Sequence, residues 1–487
     1  MDKNGKLLNF VNGVWQKSRA GEYLDVLNPA TNKKFGTVPL SPGAEVDATV
    51  RAARNALPDW QRTPVGERVQ HLFKLKNLLE ENVDRMARAV TLDNGKTYAE
   101  SVGEIRRGIE NVEVACGAPS LMQGYNNEDV TRGVDEHLIR QPVGVVAVIT
   151  PFNFPVMIPL WFMPYAVAAG NCFIHKPSEK VPMVTQILFE LFDQAGFPAG
   201  VVQLVNGSVD TVNAILDHPT IRAISFVGSS AVAKLVYARA TANGKRAQCQ
   251  GGAKNPIVIM PDADMESTVQ IMSDGAFGCA GQRCLSAPVA ITVAEANITF
   301  AEPMAAAAAS RTVGFGLDEG VQTGPVITAE SKGRIEALIA QGIDEGASIL
   351  VDGRGRKVRG YEDGHFIGPT VLTDVPSKCE TAQMEFFGPV LSLTHASDAD
   401  EALRLVNDRG YGNGACIFTS DGATARRFRN EADAGNVDIN VAVPAPMAFF
   451  PFSGWNDSFF GDLHAQGAHA IEFFTQTKVV VERWPQA

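Results

Sequence analysis

The sequence of 487 residues predicts an α/β protein with two parallel sheets. Between residues 145 and 227, short apolar segments of strand length alternate with helical segments, and a second alternation follows residue 256. Such alternation is typical of parallel sheets covered by helices on both faces. Hydrophobic residues make up 45% of the chain and charged residues 20%, as expected for packed globular domains.

Before the first alternation, the sequence predicts a β-rich edge followed by helices. Residues 7–40 contain apolar runs separated by turn signals such as Asn12-Gly13, which indicate strands and hairpins. From Ala44 to about Gly117, apolar residues recur at helical spacing and predict two to four packed helices. The first of these helices is expected to end at Pro58.

The first alternation comprises predicted strands at 145–149, 172–175, 201–205 and 223–227 and predicted helices at 157–169 and 183–192. Loops 150–155, 176–179 and 228–230 follow strand ends, where α/β proteins bind nucleotides. Gly228 and Ser229 precede another helix, whose free N–H groups suit a phosphate. Because no Gly-x-Gly-x-x-Gly motif follows a strand, the alternative that these two residues only cap the helix stays open.

A glycine-rich bend at 250–256 is the predicted boundary of a second α/β domain. The expected elements of this domain are helices at 268–280, 332–343 and 399–406 and strands at 257–260, 287–293, 348–351 and 415–418. Residues 441–455, rich in Pro, Phe and Gly, predict an irregular packed loop. Residues 478–483 predict a terminal strand that adds to a neighbouring sheet.

Charge and cysteine content argue against several classes of protein. A net charge of −11 provides no basic surface for nucleic acid. The seven cysteines are scattered, without the spacing of a zinc site or a disulfide framework, so we predict no metal site and a reducing, cytoplasmic environment. The N-terminus lacks an apolar signal core, and prolines interrupt the apolar segment 154–173. A buried helix is therefore expected there, with no membrane partner.

The segment Gly-Cys-Ala-Gly-Gln-Arg-Cys-Leu at 278–285 contains a candidate nucleophile. Cys284 adjoins Arg283 at the end of a predicted helix, where a guanidinium and backbone N–H groups would lower the pKa of the thiol. Considered alone, a small buried structural cysteine is the more common interpretation. Motifs elsewhere in the chain decide between the two.

Five motifs occur in register along the chain. They are Pro151-Phe152-Asn153-Phe154-Pro155, Lys176-Pro177-Ser178-Glu179, Phe226-Val227-Gly228-Ser229, Gly281-Gln282-Arg283-Cys284 and Glu385-Phe386-Phe387-Gly388-Pro389-Val390. Together they closely resemble the aldehyde dehydrogenase superfamily over nearly the whole chain. Segments 108–113, 252–255 and 442–452 further resemble its CoA-acylating methylmalonate- and malonate-semialdehyde dehydrogenase branch.

The resemblance implies two Rossmann-like parallel-sheet domains plus a small β oligomerisation arm. We expect an NAD-binding domain at 1–122 and 143–252, a catalytic domain at 253–455, and an arm at 123–142 and 471–487. In such proteins the arm pairs across subunits, so a homodimer or homotetramer is expected.

The resemblance also implies catalytic and cofactor-binding roles. Cys284 would attack the aldehyde carbon, while the Asn153 amide and the Cys284 N–H hold the oxyanion. A hydride then leaves to NAD, and a thioester remains on the enzyme. The Glu179 carboxylate accepts ribose hydroxyls and repels an added phosphate, which favours NAD over NADP. The expected NAD-binding residues are Thr150, Phe152, Lys176, Glu179, Lys180, Ser229, Gly251 and Glu385.

Gln250 is the most informative departure from the superfamily. Water-using aldehyde dehydrogenases usually carry a glutamate here as the general base for hydrolysis, whereas Gln250 cannot accept a proton at neutral pH. Hydrolysis of the thioester should therefore be slow, and coenzyme A is the expected acyl acceptor because its thiol is already partly ionised. The alternative is that Gln250 caps the strand end and water is activated in another way.

The expected substrate is an aldehyde that carries a carboxylate. Arg283 and Arg107 are the candidate carboxylate-binding residues, because a guanidinium can bind a carboxylate with two hydrogen bonds. For Arg107, a solvated helical face is the alternative. Loss of a carboxylate β to the thioester as CO2 would give acetyl-CoA or propionyl-CoA.

Three other functions compete with this prediction. The first is a CoA-independent aldehyde dehydrogenase that produces a free acid. The second is a cysteine hydrolase or acyltransferase, although none of the eight histidines lies in a motif that would pair with Cys284. The third is a protein that kept the fold and lost activity, against which Cys284, Asn153 and Glu385 argue together.

Overall fold

The structure is a computed structural model that describes residues 1–2 and 4–484. Two large, mostly parallel sheets dominate it, each with helices packed against it. This confirms the predicted α/β class. Residues 485–487, at the end of the predicted arm, lie outside the described residues.

The N-terminal segment forms hairpins and helices as predicted. Its elements are β1 (Asn9–Val11), β2 (Val14–Gln16), β3 (Tyr23–Leu27), β4 (Lys34–Pro39), α1 (Gly43–Arg62), α2 (Val65–Glu81), α3 (Val83–Asn94), α4 (Tyr98–Cys116) and α5 (Ala118–Leu121). Asn12 and Gly13 join β1 to β2 with positive φ, the backbone conformation that a tight hairpin turn requires.

The prediction that α1 ends at Pro58 is wrong, because the helix continues to Arg62. Trp60 in the last turn is buried, and its indole Nε1 donates to the Val167 carbonyl at 3.1 Å. This tertiary contact stabilises the last turn although Pro58 cannot donate a helical hydrogen bond.

The first large sheet contains the predicted first alternation. Its parallel strands are β7 (Val145–Ile149), β8 (Cys172–Lys176), β9 (Val202–Leu204), β10 (Ile221–Val227) and β11 (Arg246–Gln250). The strand order is β2-β1-β9-β8-β7-β10-β11-β21, where β21 is Phe459–Phe460. The order reverses between β7 and β10, so the loops after these two strands open into the crevice where such sheets bind ligands.

The helices of this part are α6 (Met157–Leu160), α7 (Met163–Ala168), α8 (Pro182–Ala195), α9 (Val209–Asp217) and α10 (Ser230–Ala242). The single helix predicted at 157–169 is therefore broken in two. Pro164 has no N–H for the Leu160 carbonyl, and the chain turns at Trp161 and Phe162 instead.

The second large sheet has the strand order β14-β15-β16-β13-β12-β18-β19 and is parallel except at the β14 edge. Its strands are β12 (Pro256–Ile259), β13 (Val289–Val293), β14 (Ser348–Val351), β15 (Thr370–Thr373), β16 (Val390–Ala396), β18 (Gly414–Phe418) and β19 (Asn436–Ile439). Its helices are α11 (Met265–Phe277), α12 (Ala296–Ser310), α13 (Ala329–Asp344), α14 (Glu380–Gln383), α15 (Ala399–Asn407) and α16 (Gly422–Glu431).

The helix predicted at 268–280 ends earlier, at Phe277. Residues Gly278–Gly281 form a 3-10 turn in which Cys279 and Ala280 have φ of 51° and 53°, in the left-handed region. Such backbone is unfavourable for residues with a side chain, so surrounding contacts must hold it.

A third, smaller sheet is separate from the two large ones. It consists of β5 (Asn126–Thr131), β6 (Val134–Pro142) and β22 (Thr475–Arg483). The predicted terminal strand at 478–483 is confirmed, and its partner is β6 of the same chain. The remaining elements are β17 (Tyr411–Gly412), β20 (Trp455–Asn456) and α17 (Gly467–Phe473). The predicted domain limits themselves stay a prediction.

Within residues 1–2 and 4–484, no helix has the length and apolar character needed to cross a membrane. Over the same residues, no group of three His, Cys, Asp or Glu side chains could hold a metal ion.

Candidate active site

A cavity of about 320 Å³ lies between the two large sheets. Its walls come from the loops that follow β7, β10 and β11 and from segments that precede β13 and β16. The predicted site residues in these walls are Phe152, Asn153, Ser229, Gly251, Cys284 and Glu385. Residues more than 200 positions apart are thus brought together at the carboxyl end of the first sheet.

Cys284 lies where this cavity meets a second one of about 60 Å³. The side-chain amides of Asn255 and Asn413 donate to its carbonyl oxygen at 2.9 and 3.0 Å and fix the backbone. Burial and the Glu385 carboxylate raise the pKa of the thiol to about 12, although the backbone N–H groups of Cys284 and Leu285 act in the opposite direction.

The Arg283 guanidinium and these N–H groups lower the Cys284 pKa as predicted, but burial and Glu385 outweigh them, so the predicted net lowering is wrong. The Arg283 guanidinium packs over Gly278 and approaches Glu100 at 3.6 Å, so its charge is partly balanced elsewhere. A solvated or substrate-bound site would have to supply the stabilisation of the thiolate that this arrangement lacks.

Asn153 lies in the loop between β7 and α6 and is buried. Its side-chain Nδ2 donates to the Gln282 carbonyl at 3.1 Å, two residues before the nucleophile. The amide is therefore held beside Cys284 within the same cavity wall, as the predicted oxyanion role requires.

The smaller cavity is lined by both candidate carboxylate-binding arginines together with Cys284. Arg107 is paired with Glu110 at 2.6 Å, and its guanidinium also donates to the Pro446 carbonyl. Arg107 therefore faces the irregular 441–455 segment across this cavity and is not a freely solvated helical charge. Apolar residues such as Trp161 and Phe452 form much of the remaining wall.

Lys176 is the last residue of β8, while Thr150 follows β7 and Glu179 and Lys180 follow β8. None of the four is among the described residues that line the large cavity. Lys176 and Glu179 form an ion pair at 3.2 Å. Burial opposes both charges. The net result is a lowered pKa for Lys176 and, because of the lysine, a lowered pKa for Glu179. The Thr150 hydroxyl contacts Nε2 of His175 at 2.8 Å, and burial lowers the pKa of this histidine to about 3.

Two features of the large cavity suit a dinucleotide: the N-terminal end of a helix and glycines in the cavity wall. In the described chain, α10 begins after Ser229 without a side-chain cap, so its first N–H groups remain available to a phosphate. A Cβ on Gly251 would lie 2.6 Å from the Ser230 hydroxyl, and one on Gly252 would lie 2.6 Å from the Glu385 carboxylate. Close packing at this wall therefore depends on glycine.

Gln250 ends β11, two residues before Gly252. Its Nε2 donates to the Phe452 carbonyl at 2.9 Å, and its Oε1 has no hydrogen-bond partner among the described residues. Of the residues that the structure describes, those that line the two cavities do not include Gln250. The amide thus serves the packing of the 452–454 segment.

Comparison with known proteins agrees with this geometry. Residues 15–480 match the aldehyde dehydrogenase family. The chain belongs to the aldehyde dehydrogenase family. It is therefore an oxidoreductase that acts on aldehydes, as the resemblance of its motifs predicted.

Among curated relatives, the chain is similar to the malonate-semialdehyde dehydrogenase of Halalkalibacterium halodurans, with 46% identity over 98% of each chain. It is 47% identical to malonate-semialdehyde dehydrogenase 2 of Geobacillus kaustophilus over 98% of this chain and 99% of that one. Among solved structures, the methylmalonate-semialdehyde dehydrogenase of Oceanimonas doudoroffii has a TM-score of 0.97 and 41% identity, with 99% of each chain covered. A Sinorhizobium meliloti protein complexed with NAD has a TM-score of 0.98 and 42% identity over 100% of this chain and 99% of that one.

Some contacts of this aldehyde dehydrogenase were not foreseen from its sequence. Lys96 and Glu104 form a buried ion pair behind the Asn153 loop, and Glu100 accepts a hydrogen bond from the Cys279 N–H at 2.5 Å. The pattern Thr97-x-x-Glu100 signals a capping box, which α4 does form. That signal locates the start of a helix, but it does not predict that Glu104 in this helix contacts Val156, 52 residues further along the chain.

The electrostatic environment of Cys284 leads to a testable prediction. Above about pH 7, where Glu385 becomes charged, Glu385→Gln should raise the rate of Cys284 alkylation by iodoacetamide. The reason is that a nearby negative charge disfavours the thiolate, and we expect an increase of about 2- to 10-fold. Below that pH the two proteins should converge, because residue 385 is then uncharged in both.

The control for this measurement is Glu179→Gln, which removes a carboxylate that does not line the cavity within the described chain. Alkylation is followed without NAD or aldehyde, and the modified peptide is identified by mass spectrometry. An equal effect of both substitutions, or a slower reaction in Glu385→Gln, would show that Glu385 does not set the thiol pKa.

Proposed function

We propose that this aldehyde dehydrogenase catalyses the NAD-dependent oxidative decarboxylation of malonate semialdehyde or methylmalonate semialdehyde to acetyl-CoA or propionyl-CoA. The observation that carries the proposal is the position of Gln250. Where water-using aldehyde dehydrogenases carry a general base, this chain has a glutamine, whose amide is hydrogen-bonded to the Phe452 carbonyl. In the described chain, Gln250 lies outside the lining of both cavities that meet at Cys284.

Acylation begins at Cys284. The thiol gives its proton to solvent and the sulfur attacks the aldehyde carbon. The Asn153 Nδ2 and the Cys284 N–H donate to the oxygen that becomes negative. One hydrogen of the Asn153 Nδ2 is donated to the Gln282 carbonyl at 3.1 Å, which leaves the other for the oxyanion. Bound NAD supplies the hydride acceptor, after which the acyl group remains on Cys284 as a thioester.

Some of the residues that would hold NAD line the large cavity, and the others lie at or just after the ends of β7 and β8. Lys176 and Glu179 would bind the adenosine ribose, Ser229 and the start of α10 the pyrophosphate, and Glu385 the nicotinamide ribose. Thr150, Phe152, Lys180 and Gly251 would complete this surface. Burial raises the pKa of Glu385 to about 7, and a ribose hydroxyl would provide the hydrogen-bond donor that the carboxylate needs when charged.

The substrate carboxylate would lie in the smaller cavity, against Arg107 and Arg283. Both guanidiniums already have partial carboxylate partners, Glu110 and Glu100. A substrate carboxylate would either displace Glu110 and Glu100 from the arginines or bind the arginines together with them. The cavity volume of about 60 Å³ favours a short aldehyde.

Decarboxylation follows from the chemistry of the acyl-enzyme. The carboxylate lies β to the thioester carbonyl, so the bond to CO2 can break with its electron pair moving into an enolate of the thioester. Protonation at carbon gives an acetyl or propionyl group on Cys284. The CoA thiolate then attacks this carbonyl, and Cys284 leaves as the thiolate.

The proposal is tested by NADH formation from malonate semialdehyde with and without CoA, followed by identification of the products. Sustained turnover that requires CoA and yields acetyl-CoA and CO2 supports it. Equal turnover without CoA, with a free acid as product, would instead establish a water-using aldehyde dehydrogenase.

We further propose that the sheet of β5, β6 and β22 is an oligomerisation arm. One face of β22 exposes Val479 and Val481 at 64% and 60%, and Trp484 beyond it is 70% exposed. A face of this kind at a sheet edge is typical of a surface covered by a second subunit.

The expected result of Val479→Glu combined with Val481→Glu is a smaller assembly, measured by light scattering during size-exclusion chromatography. Two desolvated charges at an apolar interface oppose association. Lys478→Glu makes the same change in net charge on the opposite face of β22 and should leave the mass unaltered. An unchanged mass of the double variant would contradict the assignment.

A further inference from the structure

Behind the Asn153 loop lies a buried ion pair between Lys96 and Glu104. The two charged groups are 2.6 Å apart, and their side chains are 1% and 0% exposed. Buried charges require both a partner and hydrogen bonds, so a pair at this depth is costly unless its remaining atoms are also bound. The remaining contacts are all with residues 153–157, in the loop after β7 and at the first residue of α6.

The Lys96 ammonium donates to the Asn153 carbonyl oxygen at 2.7 Å and lies 4.0 Å from the centre of the Phe154 ring. Glu104 uses its other oxygen to accept from the N–H groups of Val156 and Met157, at 2.7 and 3.2 Å. The pair is thus hydrogen-bonded to the backbone on both sides of Phe154.

Two further contacts complete the arrangement. Asn94 donates to the Phe152 carbonyl at 2.9 Å, on the other side of Asn153. Glu100, one helical turn before Glu104, accepts from the Cys279 N–H in the left-handed turn that leads to Cys284. The start of α4 therefore contacts both the loop that carries the oxyanion donor and the segment that carries the nucleophile.

We propose that Lys96 and Glu104 are positioning residues that fix the Asn153 amide for stabilisation of the oxyanion. They do not line either cavity within the described chain, so they act through the Asn153 backbone and not on substrate. This inference rests on the proposed function, in which Asn153 is the oxyanion donor. Small displacements of such a donor cost a large share of its effect, because its advantage lies in being oriented in advance.

The test uses Lys96→Met combined with Glu104→Gln, which removes both charges together and avoids an unpaired buried ion. The glutamine oxygen can still accept from the Val156 N–H, while the hydrogen bond to the Asn153 carbonyl is lost. The rate of the NADH burst with malonate semialdehyde reports acylation. We expect this rate to fall about tenfold or more, within the roughly 10²- to 10³-fold that loss of an oxyanion donor costs.

The same pair of substitutions is made in Asn153→Ala, where there is no amide left to position. A fall there of less than about threefold supports the proposal, because effects that act through one group are not additive. Equal falls in both backgrounds, or no fall in the unsubstituted enzyme, would overturn it. If Asn153→Ala itself reacts at the unsubstituted rate, the oxyanion assignment in the proposed function fails first, and the two failures are thereby distinguished.

Two controls separate positioning from loss of structure. Alkylation of Cys284 by iodoacetamide involves no carbonyl oxyanion and should stay within about twofold, whereas a parallel fall would place the effect on the nucleophile and overturn the proposal. Lys245→Met removes another buried lysine and should leave the burst unchanged. Lys245 lies just before the N-terminal end of β11, where it donates to the His218 and Ile221 carbonyls.

If the double variant does not fold, Glu104→Asp replaces it in both backgrounds. This substitution keeps the charge but withdraws the carboxylate from the Val156 and Met157 N–H groups by one methylene. The same dependence on Asn153 is expected, and its absence would contradict the proposal.

Discussion

Replacing Cys284 with alanine is expected to lower kcat by roughly 10⁴-fold or more, because removal of a covalent nucleophile eliminates the acyl-enzyme route. The sulfur lies where the two cavities meet, so the alanine should leave both binding surfaces intact. NAD should therefore still raise the melting temperature of the variant. Steady-state NADH formation and thermal shift measure the two properties separately.

The matched control is Cys379→Ala, another partly exposed free cysteine, which lies outside the lining of both cavities in the described chain. Its kcat should stay within about twofold of the unsubstituted enzyme, as expected for a position away from the chemistry. If Cys284→Ala retained more than about one hundredth of the activity, the covalent mechanism would have to be abandoned.

Gln250→Glu is expected to raise CoA-independent turnover by about 10²-fold or more, the usual contribution of a positioned general base. A glutamate cannot donate to the Phe452 carbonyl that Gln250 holds at 2.9 Å, so this contact becomes repulsive. The carboxylate is then free to turn from the 452–454 segment toward the cavity lined by Gly251 and Gly252. The free acid released in the absence of CoA is the quantity to measure.

Gln250→Ala provides the control, because it loses the same hydrogen bond without adding a carboxylate. Only the glutamate variant should hydrolyse its thioester faster. A similar gain in both variants would mean that loosening of the 452–454 segment admits water, and that the identity of residue 250 does not by itself exclude hydrolysis.

The fold was predictable where the sequence pattern reflects local burial. Strands β7 and β8 are buried along their whole lengths, and each is a continuous run of mostly apolar residues. The pattern misled where a tertiary contact decided the outcome. Trp60 extends α1 past Pro58, and the left-handed turn at Cys279 ends a helix that the pattern would continue.

Site residues at strand ends were predictable because topology brings such loops together. The direction in which a long side chain points was not predictable from the sequence. The Arg283 guanidinium turns toward Glu100, so the charge that adjoins Cys284 in sequence lowers its pKa by less than burial and the Glu385 carboxylate raise it. The sequence pattern does not single out Lys96 or Glu104, and only packing against residues 153–157 reveals that they are buried.

The central claim is that the acyl-enzyme on Cys284 awaits a thiol because water is not activated. The most direct test mixes the enzyme with NAD and malonate semialdehyde without CoA and follows both NADH and the mass of the Cys284 peptide. The account predicts a burst of about one NADH per active site, followed by a stop with an acetyl group on Cys284 that added CoA removes. Continuous NADH formation with an unmodified Cys284 peptide would contradict it.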